Sequence, residues 1–221
     1  MLPLKDDIPS RRFPFVTVVL IVINVAVYFY QLSLGHANSL FIWKYAVVPK
    51  AITSLHQLHP NSTIFPPLTL LTSQFLHGGF LHLGSNMLFL WIFGDNIEDK
   101  LGHLRFVLFY LACGAISAVI QIATFPGAEV PIIGASGAIA GVMGAYFLRF
   151  PYARVQTLII IFFFIRIIRI PAVVFLGFWF IFQMLLGIPT LGVAEGGVAY
   201  FAHIGGFVVG MILFKLMEKY K

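Results

Sequence analysis

The chain has few charged residues and almost no cysteine for its length. Only 10% of its 221 residues are Asp, Glu, Lys or Arg, against roughly 25% in soluble globular domains. The single cysteine, Cys113, excludes an intramolecular disulfide. The sequence also lacks low-complexity segments, inverted repeats of the transporter kind, and the Cys clusters or His-Glu-x-x-His pattern that would indicate a metal site. The scarcity of charge excludes an ordinary soluble domain.

Long apolar runs take the place of the missing charge. Hydrophobic residues make up 60% of the chain, and several runs approach or exceed the ~20 residues that cross a bilayer. The sequence predicts an all-α, polytopic membrane protein with a single helical-bundle domain over residues 1–221. We expect a short cytoplasmic N-terminal tail, residues 1–12, followed by six spans at about residues 13–34, 82–97, 103–125, 136–150, 172–187 and 199–217.

Two segments between the spans allow more than one interpretation. Residues 35–81 are semi-hydrophobic and aromatic, so they form either an ordinary connecting loop or a loop that also packs into the bilayer edge. Residues 155–187 could hold one span or two. Arg166 and Arg169 divide this stretch, and residues 157–165 are too short to cross the membrane. We therefore expect residues 157–165 to lie along the membrane interface.

The basic residues indicate an orientation. With six spans, one side of the membrane receives twelve Lys and Arg residues and the other receives only Lys44 and Lys50. The positive-inside rule then places both termini in the cytoplasm, and we expect a multi-pass protein of the cell (inner) membrane. The net charge of +6 lies at span ends, where orientation and anionic lipids account for it, so it does not indicate nucleic-acid binding.

Four polar side chains interrupt the apolar runs in which they stand. Ser136 opens the fourth predicted span, His203 lies about one turn into the sixth, and His82 and Asn86 lie in the first turns of the second. These three spans run in the same direction, from outside to inside. Their polar residues are therefore expected at similar depth toward the outer side, where three separate parts of the chain would meet.

Glycines at helical spacing stand beside these polar residues in spans four and six. Small residues on one helix face let two backbones approach closely. We expect such a contact to bring the Ser136 hydroxyl to the His203 ring, and plain helix packing is the simpler, compatible interpretation. The glycines concerned are Gly134, Gly137, Gly141, Gly144, Gly206 and Gly210.

The serine and the histidine are the parts of a minimal hydrolytic dyad, with Ser136 as candidate nucleophile and His203 as candidate general base. The acidic residues of span two stand at its cytoplasmic end, so no acid completes a triad and packing alone would orient the base. His82, Asn86 and the Ser136 N–H at a helix N-terminus fit an oxyanion site. An interhelical hydrogen bond is the alternative role for Asn86, and an interfacial position is the alternative for His82.

The motifs around these residues resemble those of the rhomboid intramembrane serine proteases. They are Gly-x-Ser-Gly at residues 134–137, Ala-His-x-x-Gly-x-x-x-Gly at residues 202–210, His-x-x-x-Asn at residues 82–86 and Gly-x-x-x-Glu-x-x-x-Gly at residues 94–102. The resemblance covers nearly the whole chain, from about residue 13 to residue 217. Four motifs in the family's order are far more specific than Gly-x-Ser-Gly alone.

The resemblance implies a six-transmembrane-helix bundle and serine endopeptidase chemistry. It implies Ser136 as nucleophile, His203 as base, and oxyanion binding by His82, Asn86 and the Ser136 backbone. The implied substrates are single-span or polytopic membrane proteins, cut in or near a transmembrane segment, with membrane lipids as the other partner. No cofactor, metal or nucleic acid is implied. Span five and residues 188–198 are the implied lateral entry and cap.

Two features depart from the family's pattern. Pro66-Pro67-Leu68 stands in the first loop, where many members carry Trp-Arg, which leaves the usual anchoring of that loop open. Ala140 stands where some members carry an aromatic residue, one turn after the serine and against the catalytic histidine. Another side chain, from span six or the loop before it, is therefore expected to hold His203, and the sequence does not identify it.

Two other classes of function compete with proteolysis. A non-catalytic rhomboid-like protein would bind membrane clients without cutting them, but such relatives are expected to have lost the serine or the histidine. A transporter or channel usually needs ionisable residues at mid-membrane, whereas the acids here cluster at span ends. Neither alternative function depends on the Ser136 hydroxyl, whereas proteolysis does. The activity of a Ser136→Ala variant therefore distinguishes a protease from both alternatives.

Overall fold

A computed structural model describes residues 1–59, 64–161, 164–192 and 197–218. Short 3₁₀ turns connect several of its longer elements. Its strands are β1 (Leu2–Lys5), β2 (Arg154–Ile161) and β3 (Phe164–Pro171). Its α-helices are α1 (Phe15–Ser33), α2 (Asn38–Tyr45), α3 (Pro49–Ser54), α4 (Thr69–Thr72), α5 (Phe80–Leu101), α6 (His103–Thr124), α7 (Ser136–Arg149), α8 (Ala172–Gly187) and α9 (Tyr200–Glu218).

Six long helices, α1 and α5 to α9, lie where the sequence predicts the six spans. Within the described residues, four helical stretches are long and apolar enough to cross a membrane: Phe15–Ser33, His103–Thr124, Ala172–Thr190 and Tyr200–Glu218. The other two long helices, α5 and α7, do not meet these requirements of length and apolar composition. Helix α5 carries acidic residues at its end, and α7 has 14 residues, which reach only ~21 Å. The count of six spans therefore stays a prediction.

Helix α7 lies at the centre of the bundle. It packs against α5, α6, α8 and α9, and its residues 137–146 are all buried. A helix that is apolar on every side suits such a position, because none of its faces meets water. Ser136 is the first residue of this helix. The nucleophile candidate is thus attached to the most enclosed element of the fold.

The structure contains a β-sheet, which the all-α prediction did not include. β2 and β3 form an antiparallel hairpin with Arg154 opposite Pro171, and β1 pairs antiparallel with β2. Residues 157–165, expected to lie along the membrane interface, belong largely to this hairpin, whose residues 162 and 163 are outside the described part. The Ile-rich, β-branched composition of the segment favours strand, and the charged residues that interrupt it disfavour a span.

The short N-terminal segment, residues 1–12, is folded onto the bundle, and its cytoplasmic location stays a prediction. Beyond β1, the Asp6 carboxylate accepts a hydrogen bond from the Tyr146 hydroxyl of α7. The Asp7 Oδ1 atom accepts one from the Arg154 N–H, with 2.7 Å between the two atoms. The backbone of Ile8 accepts a third, at 3.1 Å, from Asn96 of α5. Pairing with β2 supplies partners that a sequence of twelve residues cannot supply to itself.

Glu98 of α5 is a buried acid, with a relative exposure of 1%. Its carboxylate accepts hydrogen bonds from the N–H groups of Val16 (2.9 Å) and Thr17 (2.8 Å), at the start of α1. It also accepts one from the Thr17 hydroxyl at 2.7 Å and contacts His103 of α6 at 2.5 Å. A carboxylate is favourable at a helix N-terminus, which carries partial positive charge. Glu98 thereby ties together α1, α5 and α6.

Residues 35–81 form short helices that pack on the bundle, within the parts 35–59 and 64–81 that the structure describes. Val47 is fully buried and exchanges two backbone hydrogen bonds with Ile132, of 3.1 Å and 2.7 Å. The Thr72 hydroxyl donates to the carbonyl of Tyr45 at 2.7 Å. The described parts of this segment therefore pack on the bundle through specific hydrogen bonds, unlike an ordinary connecting loop. Its insertion into the bilayer edge stays a prediction.

Candidate active site

Ser136 and His203 meet at the junction of α7 and α9. The Oγ atom of Ser136 lies 2.8 Å from Nε2 of His203, which is hydrogen-bonding distance. Ser136 begins α7, and His203 lies in the first turn of α9. Sixty-seven residues of chain separate the two side chains. The arrangement is that of a nucleophile beside a base, the first geometric requirement of a hydrolytic dyad.

Glycine-to-backbone contacts hold α7 and α9 together. A Cβ atom added to Gly206 would lie 2.3 Å from the carbonyl oxygen of Gly137, and one added to Gly210 would lie 2.0 Å from that of Gly141. One added to Gly144 would lie 2.0 Å from the carbonyl oxygen of Phe207. The two backbones are therefore in direct contact along α7 from Gly137 to Gly144, which is about two turns. Their closeness places the side chains at the N-terminal ends of the two helices within reach of each other.

The His203 ring has a second hydrogen-bond partner, Gln183 of α8. Its Nδ1 atom lies 2.8 Å from Oε1 of Gln183, and the ring of Trp179, also on α8, packs against it with the centroids 5.8 Å apart. Two expectations were therefore wrong. The base is not oriented by packing alone, and its support comes from α8 instead of span six or its preceding loop. The Trp179 ring packs against His203, a contact that the small side chain of Ala140 cannot make.

His82 and Asn86 converge on Gly134, two residues before the serine. Gly134 has a φ of +123°, and a Cβ atom there would lie 2.8 Å from Nε2 of His82 and 3.8 Å from Nδ2 of Asn86. Both the positive φ and the lack of room for a Cβ atom therefore require glycine at this position. The Nδ2 group of Asn86 is buried and has no hydrogen-bond partner among the described residues. It is a donor directed toward the site without a protein acceptor.

The loop that leads into α5 is fixed from α1. The side-chain amide of Gln31 accepts a hydrogen bond from the His77 N–H at 3.0 Å and donates one to the His77 carbonyl at 3.2 Å. The His77 ring packs edge-to-face on His82, with centroids 5.1 Å apart. Burial, together with the neighbouring His82, lowers the pKa of His77 to about 4, so its ring is neutral at pH 7. His77 therefore supports His82 by packing and not by charge.

Sequence reasoning missed three glutamines that organise the site. Gln31 holds the loop before α5, Gln183 contacts His203, and the Oε1 atom of Gln121 in α6 accepts a hydrogen bond of 3.0 Å from the Ala202 N–H at the start of α9. All three are buried side chains within predicted spans. The signal was present, because a neutral amide inside an apolar run is costly unless it has partners.

A cavity of about 970 Å³ connects these groups. Its volume is at the upper end of the range typical of sites for drug-sized ligands. Its walls come from several elements and include both polar and apolar side chains. The residues that matter for chemistry in its lining are His82, Asn86, Ser136, Trp179 and His203. A polypeptide segment could therefore reach the serine, the histidine and the free Asn86 donor at the same time.

The fold and this site define a class: a multi-pass, helical integral membrane protein with a hydrogen-bonded serine and histidine beside an internal cavity. Comparison with known proteins is more specific. Residues 66–219 match the model of the Rhomboid domain. The chain belongs to the rhomboid family.

Three curated relatives illustrate the similarity. "Rhomboid protein 1, mitochondrial" of Saccharomyces cerevisiae is 29% identical over 151 residues, which cover 66% of this chain and 40% of that protein. "Presenilin-associated rhomboid-like protein, mitochondrial" of Mus musculus is 31% identical over 183 residues, or 79% of this chain and 45% of that protein. "Rhomboid protease GluP" of Bacillus subtilis is 45% identical over 76 residues, or 34% and 14%. The chain spans less than half the length of each.

Proposed function

We propose that this protein is an intramembrane serine endopeptidase that uses a Ser136–His203 dyad. The observation that carries the proposal is the 2.8 Å contact between Ser136 Oγ and His203 Nε2 inside a membrane-embedded bundle. Membership of the rhomboid family supports it, as does the name of the Bacillus subtilis relative, a rhomboid protease.

The chemistry follows from the positions of the two side chains. His203 Nε2 takes the proton from the Ser136 hydroxyl while Oγ bonds to the carbonyl carbon of the scissile peptide. The tetrahedral intermediate collapses, the C–N bond breaks, and Nε2 returns the proton to the leaving amine. Water, deprotonated by the same nitrogen, then attacks the acyl-enzyme. This step frees the second product and restores the Ser136 hydroxyl.

The negative charge on the carbonyl oxygen of the intermediate needs hydrogen-bond donors. The Ser136 N–H stands at the N-terminus of α7, where an anion is favoured. Asn86 Nδ2 is a buried donor without a partner in the described part of the chain, and the His82 ring lies beside Gly134. We assign these three groups to the oxyanion site. The alternative considered for Asn86 was an interhelical hydrogen bond; its Nδ2 atom makes none to the described residues, which supports this assignment.

The substrates we propose are membrane proteins cut in or near a transmembrane segment, with lipids as the surrounding partner. We propose that all six long helices cross the bilayer within one domain, with both termini on the cytoplasmic side. The excess of Lys and Arg on that side supports this orientation, although Lys219 and Lys221 lie outside the described residues. The cell membrane is the location proposed from the sequence. A mitochondrial membrane is the alternative, because the yeast and mouse relatives are named as mitochondrial.

The second candidate function is client binding without cleavage. It would require the cavity but not the hydroxyl of Ser136. The short distance between Ser136 and His203, both present in this chain, favours the protease.

Cleavage of a single-span membrane substrate in liposomes tests the proposal. We expect the wild-type protein to produce two fragments and Ser136→Ala to produce none, with both proteins retaining the same thermal unfolding midpoint. Substrate co-purification with Ser136→Ala would show that binding survives without cleavage. Fragments from the Ser136→Ala variant would remove the serine from the mechanism. Binding without cleavage by the wild type, over several substrates, would favour the client-binding function.

A further inference from the structure

We propose that Gln183 is a positioning residue that selects the reactive tautomer of His203, so that the site works as a Ser136–His203–Gln183 relay. This inference rests on the proposed protease function. Its basis is the 2.8 Å distance between Gln183 Oε1 and His203 Nδ1, on the opposite side of the ring from the 2.8 Å contact with Ser136. The His203 ring is thus hydrogen-bonded at both nitrogens.

The direction of the two hydrogen bonds follows from the chemistry of the partners. A carbonyl oxygen has lone pairs and no proton, so the Nδ1 atom facing Gln183 Oε1 must carry the hydrogen. In a neutral imidazole the other nitrogen then has the lone pair, and here that nitrogen is Nε2, which faces the Ser136 hydroxyl. Gln183 therefore keeps the base in the form that accepts the serine proton.

Gln183 and Trp179 act from the same face of α8. They are four residues apart, which places them one above the other on the helix. The Gln183 side chain is buried, with a relative exposure of 8%, and the Trp179 ring also packs on Phe207 of α9, with centroids 6.1 Å apart. Packing against Trp179 restrains the plane of the His203 ring. The hydrogen bond to Gln183 restrains the rotation of that ring about its side-chain bonds and determines which ring nitrogen carries the proton.

A glutamine suits an environment where an acid would be costly. An aspartate or glutamate in this position would need its charge desolvated, whereas a neutral amide satisfies Nδ1 without a charge. The amide stabilises the imidazolium that forms during the reaction less than a carboxylate would. A glutamate would still accept the orienting hydrogen bond from Nδ1, although its charge is costly to desolvate. A leucine of similar size removes the hydrogen bond and retains the packing.

The test compares Gln183→Leu and Gln183→Glu with the wild type in the liposome assay. For Gln183→Leu we expect kcat to fall roughly 10- to 100-fold with KM within about twofold, since general base catalysis contributes ~10²–10⁴ in total. Gln183→Glu should recover most of the lost kcat, because the carboxylate accepts the same hydrogen bond. A wild-type kcat for Gln183→Leu, or no recovery in Gln183→Glu despite an unchanged unfolding midpoint, would overturn the proposal.

A second readout needs no substrate. The ¹⁵N chemical shifts of the His203 ring in detergent micelles distinguish Nδ1–H from Nε2–H. We expect Nδ1–H in the wild type and in Ser136→Ala, and a larger Nε2–H population in Gln183→Leu. An Nε2–H ring in the wild type would refute the inference even if the protein cleaves substrate. Absence of cleavage with an Nδ1–H ring would refute the proposed protease function and leave the tautomer assignment intact.

Discussion

Asn86 shows how much one buried amide can contribute at the level of the residue. Its Nδ2 group lines the cavity without a protein partner in the described residues, although an unsatisfied buried donor costs about 1–3 kcal/mol. The charge of an intermediate would offset that cost only during the reaction. The amide is thus suited to bind the transition state more tightly than the substrate.

We expect Asn86→Ala to lower kcat roughly 100- to 1,000-fold, as loss of one oxyanion donor does in other hydrolases. KM should change little, because the donor has no acceptor in the ground state. Steady-state cleavage in liposomes measures both constants. Ser85→Ala is the matched control, since Ser85 lines the same cavity but donates its hydroxyl to the His82 carbonyl. A rise in KM with an unchanged kcat would give Asn86 a role in binding.

Single residues also show what the sequence could and could not reveal. Ser136, His203, His82 and Asn86 stand in short motifs of fixed spacing, so the sequence alone predicts that they lie together. Gln183 belongs to no motif and reaches His203 from a different helix, twenty residues away. A pairing of that kind depends on the rotation of α8 about its axis, which hydrophobic periodicity does not determine when the helix is apolar on most sides.

At the level of elements, the α7–α9 contact leaves no room for side chains at its glycines. A Cβ atom on Gly210 would meet backbone atoms of Gly141 at 2.0–2.5 Å. Backbone cannot move aside as a flexible side chain can. The two helices would have to separate, and the Ser136–His203 distance would increase with them.

We expect Gly210→Ala to lose activity and to unfold at a lower temperature, by an amount typical of overpacking, about 1–3 kcal/mol. Gly84→Ala is the control, because nothing lies within 4 Å of a Cβ atom at Gly84 in α5. An alanine there should leave stability unchanged or raise it slightly, since glycine is the poorer helix former. Thermal unfolding in detergent, followed by cleavage in liposomes, measures both effects. Full activity of Gly210→Ala would mean that helix spacing does not limit the site.

A single sequence predicts some elements of this fold well and others poorly. The long helices were predicted because apolar length is a strong signal. The β1–β2–β3 sheet was not, because its first strand lies about 150 residues before the others. The short N-terminal strand carries no periodic signal of its own, and only the pairing with β2 makes it a strand.

At the scale of the whole molecule, the N-terminal segment joins the sheet to the helical bundle. Asp6 is partly buried between them, beside Tyr146, and burial together with the nearby Asp95 carboxylate raises the pKa of Asp6 to about 6. The ordinary value is 3.8. The folded protein therefore binds this proton more tightly than the unfolded chain does, and Asp6 favours folding more at acidic pH than at neutral pH.

This linkage predicts a pH-dependent effect of Asp6→Asn. The variant should be more stable than the wild type above pH 6, where the wild type keeps a partly buried charge. The difference should shrink as the pH falls from about 6 toward 4, because the wild type becomes neutral as well. Unfolding midpoints of both proteins at pH 7.5 and pH 4.5, in the same detergent, measure it. An equal difference at the two pH values would contradict the assigned pKa.

The close packing of the α7 and α9 backbones has one further consequence. No flexible side chain separates the two helices where their glycines meet, so the spacing of Ser136 and His203 is stiff. Gln183, by contrast, reaches His203 along a flexible side chain, from a helix whose outer residues Phe178 and Leu185 are exposed to the surroundings. We therefore expect changes in bilayer thickness or lateral pressure that tilt α8 to alter the alignment of the His203 ring more than its distance from Ser136. Under the proposed protease function, we expect lipid composition to control the cleavage rate through this single helix.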